Sequence, residues 1–223
     1  MVDKEPAAPR EMEEALEEAS KHHIQRWPAF LALLVIVVAY SAISEKLAPL
    51  PRFAIPVIVA VGILLIALSI TRGRHLLVRP IALTLIGAIT LAEVLSTLLL
   101  VSILPRAAIG PIGLLRDAAL IWIINVVAFA LWYWEIDGGG PLMRKVRPHE
   151  AKDFLFPQRA VGEPENWSPR FIGYLFLAFS HSTAFSPTDT AVLSRRAKVL
   201  VMIQATLSLM AIAVLIAKAI NSL

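Results

Sequence analysis

The sequence predicts an all-α, polytopic membrane protein with about five transmembrane helices plus one re-entrant half-helix and its loop. Three observations carry this. Of the 223 residues, 57% are hydrophobic and 17% charged, with a mean hydropathy of +0.71, too apolar for a domain that must show water a polar surface. Apolar runs recur at close to the ~20 residues that cross a hydrocarbon core of ~30 Å. Basic residues gather on one side of those runs.

The first span runs from about Trp27 to Ile43 and the second from Phe53 to Ile70, joined by 44–52, whose Pro49 and Pro51 fit a turn. A third, Pro80 to Leu104, begins with a proline suited to a first helical turn and stops before Pro105. The fourth, Leu115 to Trp134, ends in Trp132-Tyr133-Trp134, an aromatic run of the kind that settles at the headgroups, and Asp137-Gly138-Gly139-Gly140-Pro141 breaks it. A last span, Val199 to Ile220, carries Lys218 near enough its end to snorkel.

Between the last two lies 138–170, rich in proline and charge and placed in water. Phe171 to Ser180 is apolar but only about half a span long, and His181 to Thr190 follows it. The expected form of 171–190 is a re-entrant segment that enters and leaves on one side. The alternative is a sixth span from Phe171 to Pro187. Irregular backbone at membrane depth needs protein or a water-filled cavity around it, so re-entry implies an internal cavity.

Orientation follows from charge. The tail (Lys4, Arg10, Lys21, Arg26), the second loop (Arg72, Arg74, Arg79), six basic residues in 138–170, and Arg195, Arg196 and Lys198 fall on one side. Only Lys46, Arg52, Arg106, Arg116 and Lys218 oppose them. The N-terminus is therefore expected in the cytoplasm, with 1–26 an amphipathic surface helix or oligomer contact and 27–223 the transmembrane domain. Met12, Ala15, Leu16 and Ala19 form its apolar face, and the opening residues lack a signal peptide's apolar core.

Several function classes drop out. The chain has no cysteine, which excludes disulfides, thiolate metal sites and cysteine nucleophiles. The net charge of +4 is explained by loop orientation signals, so no nucleic-acid partner is expected. His22 and His23 are adjacent rather than at metal-ligand spacing, and no phosphate loop or catalytic triad is visible, so neither a cofactor nor an enzymatic activity is expected. A lipid-directed enzyme would need an acid and a base converging, such as Glu135 with His149.

Glu93 is the sharpest single feature. It lies mid-span, where an ionised carboxylate must be paired, solvated or protonated, and Thr90, Ser96 and Thr97 share its face. It is either the ligand of a proton or monovalent cation, or polar glue bonded to Asn125 or Gln204 on another helix. Arg116 and Asp117 read as an interfacial helix start.

The second candidate is the loop after Phe171–Ser180, where Thr183, Ser186, Thr188 and Asp189 offer oxygens to a dehydrated cation. It looks like the pore region of tetrameric cation channels, although both filter glycines are missing, Pro187 stands inside the loop, and the basic residues place it on the cytoplasmic side. Three further stretches, Phe129 to Asp137, Asp153 to Gln158, and Thr183 to Thr190, resemble an uncharacterised family of bacterial integral membrane proteins. That resemblance implies a bacterial inner-membrane protein and brings no activity with it.

The functional expectation is a channel-like or transport-related protein in the lipid bilayer. A filter built from one loop per chain supplies few ligands, so a symmetric homo-oligomer is expected with it. The competing expectation is a membrane scaffold or sensor that docks a cytoplasmic partner through Phe154-Leu155-Phe156-Pro157 and the acidic tail.

Overall fold

A computed structural model describes residues 26–103, 110–146, 153–161, 167–183 and 189–221. The expected N-terminal helix lies outside these residues, apart from Arg26, as do Ser186, Thr188 and His149.

Helix α1 (Trp27–Ala42) starts with a proline in its first turn. A single 3-10 turn at Glu45–Leu47 leads to α2 (Ala54–Thr71). Helix α3 (His75–Ile103) begins five residues before the expected start, with Pro80 inside it. A proline that deep forfeits one backbone bond rather than setting the boundary. Helix α4 (Pro111–Ile136) likewise starts early, because Gly110 and Pro111 supply the cap and first position that Leu115 does not.

Short elements follow: α5 (Pro141–Val146), β1 (Phe154–Leu155) and α6 (Pro157–Ala160). Then come α7 (Phe171–Thr183), β2 (Ala191–Val192) and α8 (Arg195–Asn221). Helix α8 starts four residues before the expected Val199, since the Ser194 hydroxyl accepts the Ala197 N–H at 3.1 Å and caps a basic first turn.

Among the described residues, four helices are long and apolar enough to cross a membrane: α2, α3, α4 and α8. Helix α1, with 16 residues, is shorter. Leu34, Val38, Val57, Leu64, Leu98 and Leu209 turn outward, an apolar exterior that suits lipid and not water.

Helix α4 is the hub, packed against α1, α3, α7 and α8, while α2 leans on α3 and α1. Its apolar span is 61% buried, against 28% for α2 or α8. One core lies between α1, α3 and α4, around Ile36, Ile89 and Ile121. A second, aromatic core lies between α4, α7 and β1, where the Tyr133 and Phe154 rings sit 5.1 Å apart and those of Phe156 and Tyr174 5.3 Å apart.

Helix α7 runs alongside α8. Tyr174 reaches Asp137 at the end of α4, and Ser182 lies against Ser208, thirteen residues into α8. At 1.5 Å per residue the far end of α7 is thus ~20 Å from the level at which it starts. Yet β2, a few residues later, pairs antiparallel with β1, Phe154 opposite Val192. Both ends of the 171–192 segment are therefore at one end of the bundle.

Gly140 joins α4 to α5 with φ +96°, and a Cβ there would stand 3.2 Å from the Glu135 carbonyl oxygen. Gly140→Ala is expected to cost about 1–3 kcal/mol, read as a lower thermal midpoint in detergent. An unchanged midpoint would mean that the turn relaxes freely.

Candidate functional site

Two polar constellations stand out, one inside the bundle and one at its end. The inner one is built on Glu93, 2% exposed. The Asn125 amide donates to Glu93 Oε1 at 2.7 Å and also lies 3.5 Å from the Gln204 carbonyl. Gln204 donates through Nε2 to the Ala178 carbonyl at 2.8 Å and accepts the Tyr133 hydroxyl on Oε1. Ser208 donates to the Ser182 carbonyl at 2.6 Å. These bonds stitch α3, α4, α7 and α8 together at membrane depth.

The rest of the Glu93 face is largely turned on its own helix. Thr97 donates to the Glu93 carbonyl, and Thr90 donates to Ile86 while accepting the Trp132 indole at 2.9 Å. Seven buried atoms on the stitched helices have no hydrogen-bond partner among the described residues: Glu93 Oε2, Asn125 Oδ1, Ser96 Oγ, Ser180 Oγ and Trp122 Nε1, together with Asp117 Oδ2 and Glu135 Oε2 towards the two ends of α4. Such atoms cost free energy until a proton, ion or water meets them.

The outer constellation joins two of the stretches quoted above, Phe129 to Asp137 and Asp153 to Gln158, with the start of α8. Asp153 is fully buried and takes the Arg196 guanidinium as a fork, Nε to Oδ1 at 2.6 Å and Nη2 to Oδ2 at 2.5 Å. It also accepts the Ser194 hydroxyl at 2.5 Å and the Gly138 amide at 3.2 Å. Burial pushes its carboxyl up, but the bonds from Arg196 and Ser194 outweigh this and hold it below the usual carboxylate range. Beside it, Asp137 accepts the Tyr174 hydroxyl at 2.5 Å and the Phe154 amide at 3.4 Å. Buried Arg144 donates to the carbonyls of Trp134 and Asp137.

The sequence-predicted residues are thus divided. Glu93 meets Asn125, the glue partner considered for it, and through Asn125 approaches Gln204. Thr183 donates to the Ser180 carbonyl at 3.3 Å, within its own helix, and Asp189 is exposed. No described bond links either of them to Glu93. At the opposite end, Arg116 bonds both Asp117 and Ser44, as fits an interfacial helix start.

Tyr133 is a correction: expected among headgroups, it is fully buried. Successive helical residues point about 100° apart, so three adjacent aromatics cannot all face lipid. Arg26 and Glu135 form an ion pair at 3.6 Å that sequence reasoning missed, having read Arg26 only as an orientation charge.

No family model, curated protein or solved structure matches the chain.

Proposed function

We propose that this is a multi-pass inner-membrane protein that binds and moves a proton or a monovalent cation, with Glu93 as the binding carboxylate. The observation that carries the reading is the Glu93–Asn125 pair, which leaves Glu93 Oε2 and Asn125 Oδ1 buried and unpartnered. Intramembrane acids are costly to desolvate, and those that face a bundle interior mark ion and proton pathways by default.

In this reading α1 is the fifth span, α7 is re-entrant, and the N-terminus lies in the cytoplasm. Support comes from Arg26, Arg72, Arg74, Arg79, Arg144, Arg195 and Arg196, on helix ends and turns at the end where α7 enters. The C-terminal end of a half-helix presents carbonyls and a partial negative charge to an ion at membrane depth. Thr183 at the end of that half-helix and Asp189 beyond it are the described members of the proposed approach, with Ser186 and Thr188 between them in the sequence, and a symmetric homo-oligomer would multiply those ligands. Gln204 ties that half-helix to Asn125, so occupancy at Glu93 and the seating of α7 are coupled. A docking role for Phe154 and Phe156 would need their rings outside, whereas they are 1% and 6% exposed.

The test is flux of protons, sodium and potassium into liposomes holding the purified protein. Glu93→Gln is expected to lower the carried flux at least about tenfold, as for loss of a ~1.4 kcal/mol interaction or more, and Asp189→Asn to lower it less. Flux equal to that of empty liposomes under every gradient, or unchanged flux in Glu93→Gln, would overturn the proposal.

A further inference from the structure

A cavity of about 300 Å³ opens at the end of the bundle where α3 starts and α4 stops. Its walls carry Arg26, Arg79 and Glu135, with His75 beside them, and Gly139 to Met143 close it from the α5 side. Neither the Glu93 network nor the Asp153 fork uses it.

Both signs of charge are open there. Arg79 bonds only through Nε, to the Glu135 carbonyl at 3.4 Å, which leaves its terminal nitrogens without a hydrogen bond among the described residues. Arg26 lies 3.6 Å from Glu135 Oε1 and over the Trp134 ring. The other carboxylate oxygen, Glu135 Oε2, is buried and unpartnered. It sits 3.4 Å from where a Cβ on Gly140 would be, so a side chain at 140 would crowd it.

A simple anion would add an acceptor for the guanidiniums but leave Glu135 Oε2 without a donor. A simple cation would do the reverse. The complement is one molecule with a phosphate and, a few ångströms away, a primary ammonium that donates hydrogen bonds. A second observation says where such a molecule comes from. Arg26 and Glu135 also head a narrow apolar slot that runs into the bundle past Ala29 and Leu33 of α1, Ile66 of α2, Leu85 of α3 and Leu131 of α4. A polar head pocket that shares Arg26 and Glu135 with an adjoining apolar slot fits a lipid, head at the boundary and chain along the helices.

We infer that the cavity between Arg26, Arg79 and Glu135 binds the headgroup of an amine-bearing phospholipid, its phosphate on the two arginines and its ammonium on Glu135 Oε2. The slot receives the first part of an acyl chain. This site is separate from Glu93, and its occupancy needs no transport activity.

The full-length protein in detergent would be titrated with phosphatidylethanolamine, phosphatidylglycerol, phosphatidylcholine and soluble glycerophosphoethanolamine, with bound lipid read by native mass spectrometry and stability by thermal shift. The ethanolamine lipid is expected to bind about tenfold or more tighter than either other lipid, since one lacks the amine and the other its N–H donors. Arg79→Ala, half-buried at a helix start, should weaken both phosphatidylethanolamine and phosphatidylglycerol. Glu135→Gln should abolish the preference between them while leaving phosphatidylglycerol bound. Equal binding of the three lipids, or a preference for ethanolamine that survives Arg79→Ala and Glu135→Gln alike, would sink the inference. If the soluble headgroup binds as tightly as the lipid, the lipid assignment fails and a free phosphoamine takes its place.

Discussion

Asp153→Ala is expected to lower the stability of the folded protein by about 2–4 kcal/mol, the largest effect of any substitution outside the spanning helices. The side chain is fully buried and accepts four hydrogen bonds, two of them from the Arg196 fork. The loss falls short of the most extreme buried pairs because Arg196 is 52% exposed and can be rehydrated once its partner is gone. Ser194 and Gly138 are less exposed than Arg196 and regain water less readily.

The same residue sets a pH dependence. Its folded pKa lies below the unfolded value of about 3.9, so its contribution is present above that value and is lost as pH falls through the depressed folded one. Wild-type protein should therefore lose stability below about pH 4, while Asp153→Asn should show less of this loss. Thermal midpoints in detergent across pH 3–7 would check it. Exchange at the Leu193 amide, which donates to the Asp153 carbonyl at 2.9 Å, would report whether the β1–β2 pair opens first. A wild-type and an asparagine curve that fall in parallel would assign acid lability elsewhere.

The second large effect is expected at Gln204. Interhelical hydrogen bonds in membranes contribute only about 0.6 kcal/mol on average, so bonds alone would make Gln204→Leu mild, costing about 1 kcal/mol. Gln204→Ala adds a cavity where α4, α7 and α8 meet, and leaves the Tyr133 hydroxyl and Ala178 carbonyl without the bonds they make there. Its expected cost is about 2–4 kcal/mol. Faster amide exchange over Phe171–Thr183 in nanodiscs should accompany it, because Gln204 anchors that short helix to the bundle. Were leucine as damaging as alanine, the hydrogen bonds would outweigh packing and the estimate from average bond strengths would fail.

The helical class and the long apolar helices were legible because length and hydropathy act locally, and every expected span corresponds to a helix in the right order. Boundaries were less so. Ser194, Gly110 and Pro111 announce helix starts through capping chemistry that an apolar window ignores, and each start was placed about four residues late. Glu93 could be singled out because one acid in an apolar run is conspicuous, and its partner Asn125 was foreseen by the same logic. The Asp153–Arg196 fork spans 43 positions, and the Arg26–Glu135 pair more than a hundred. Nothing local distinguishes those residues from ordinary loop charges until the fold brings them together.

The central place of α4 also constrains how the protein is made. Helices α1 to α3 leave the ribosome before the element against which α1 and α3 bury their inner faces. Asn125 follows Glu93 by 32 residues, which at ~5–20 residues per second is on the order of seconds. During that interval the carboxyl side chain must be sheltered at the insertion machinery or against its own hairpin. Arrival of α4 then brings most of the first core together, and α7 and α8, synthesised last, pack onto a helix already held in place, Ala211 and Val214 of α8 completing that core.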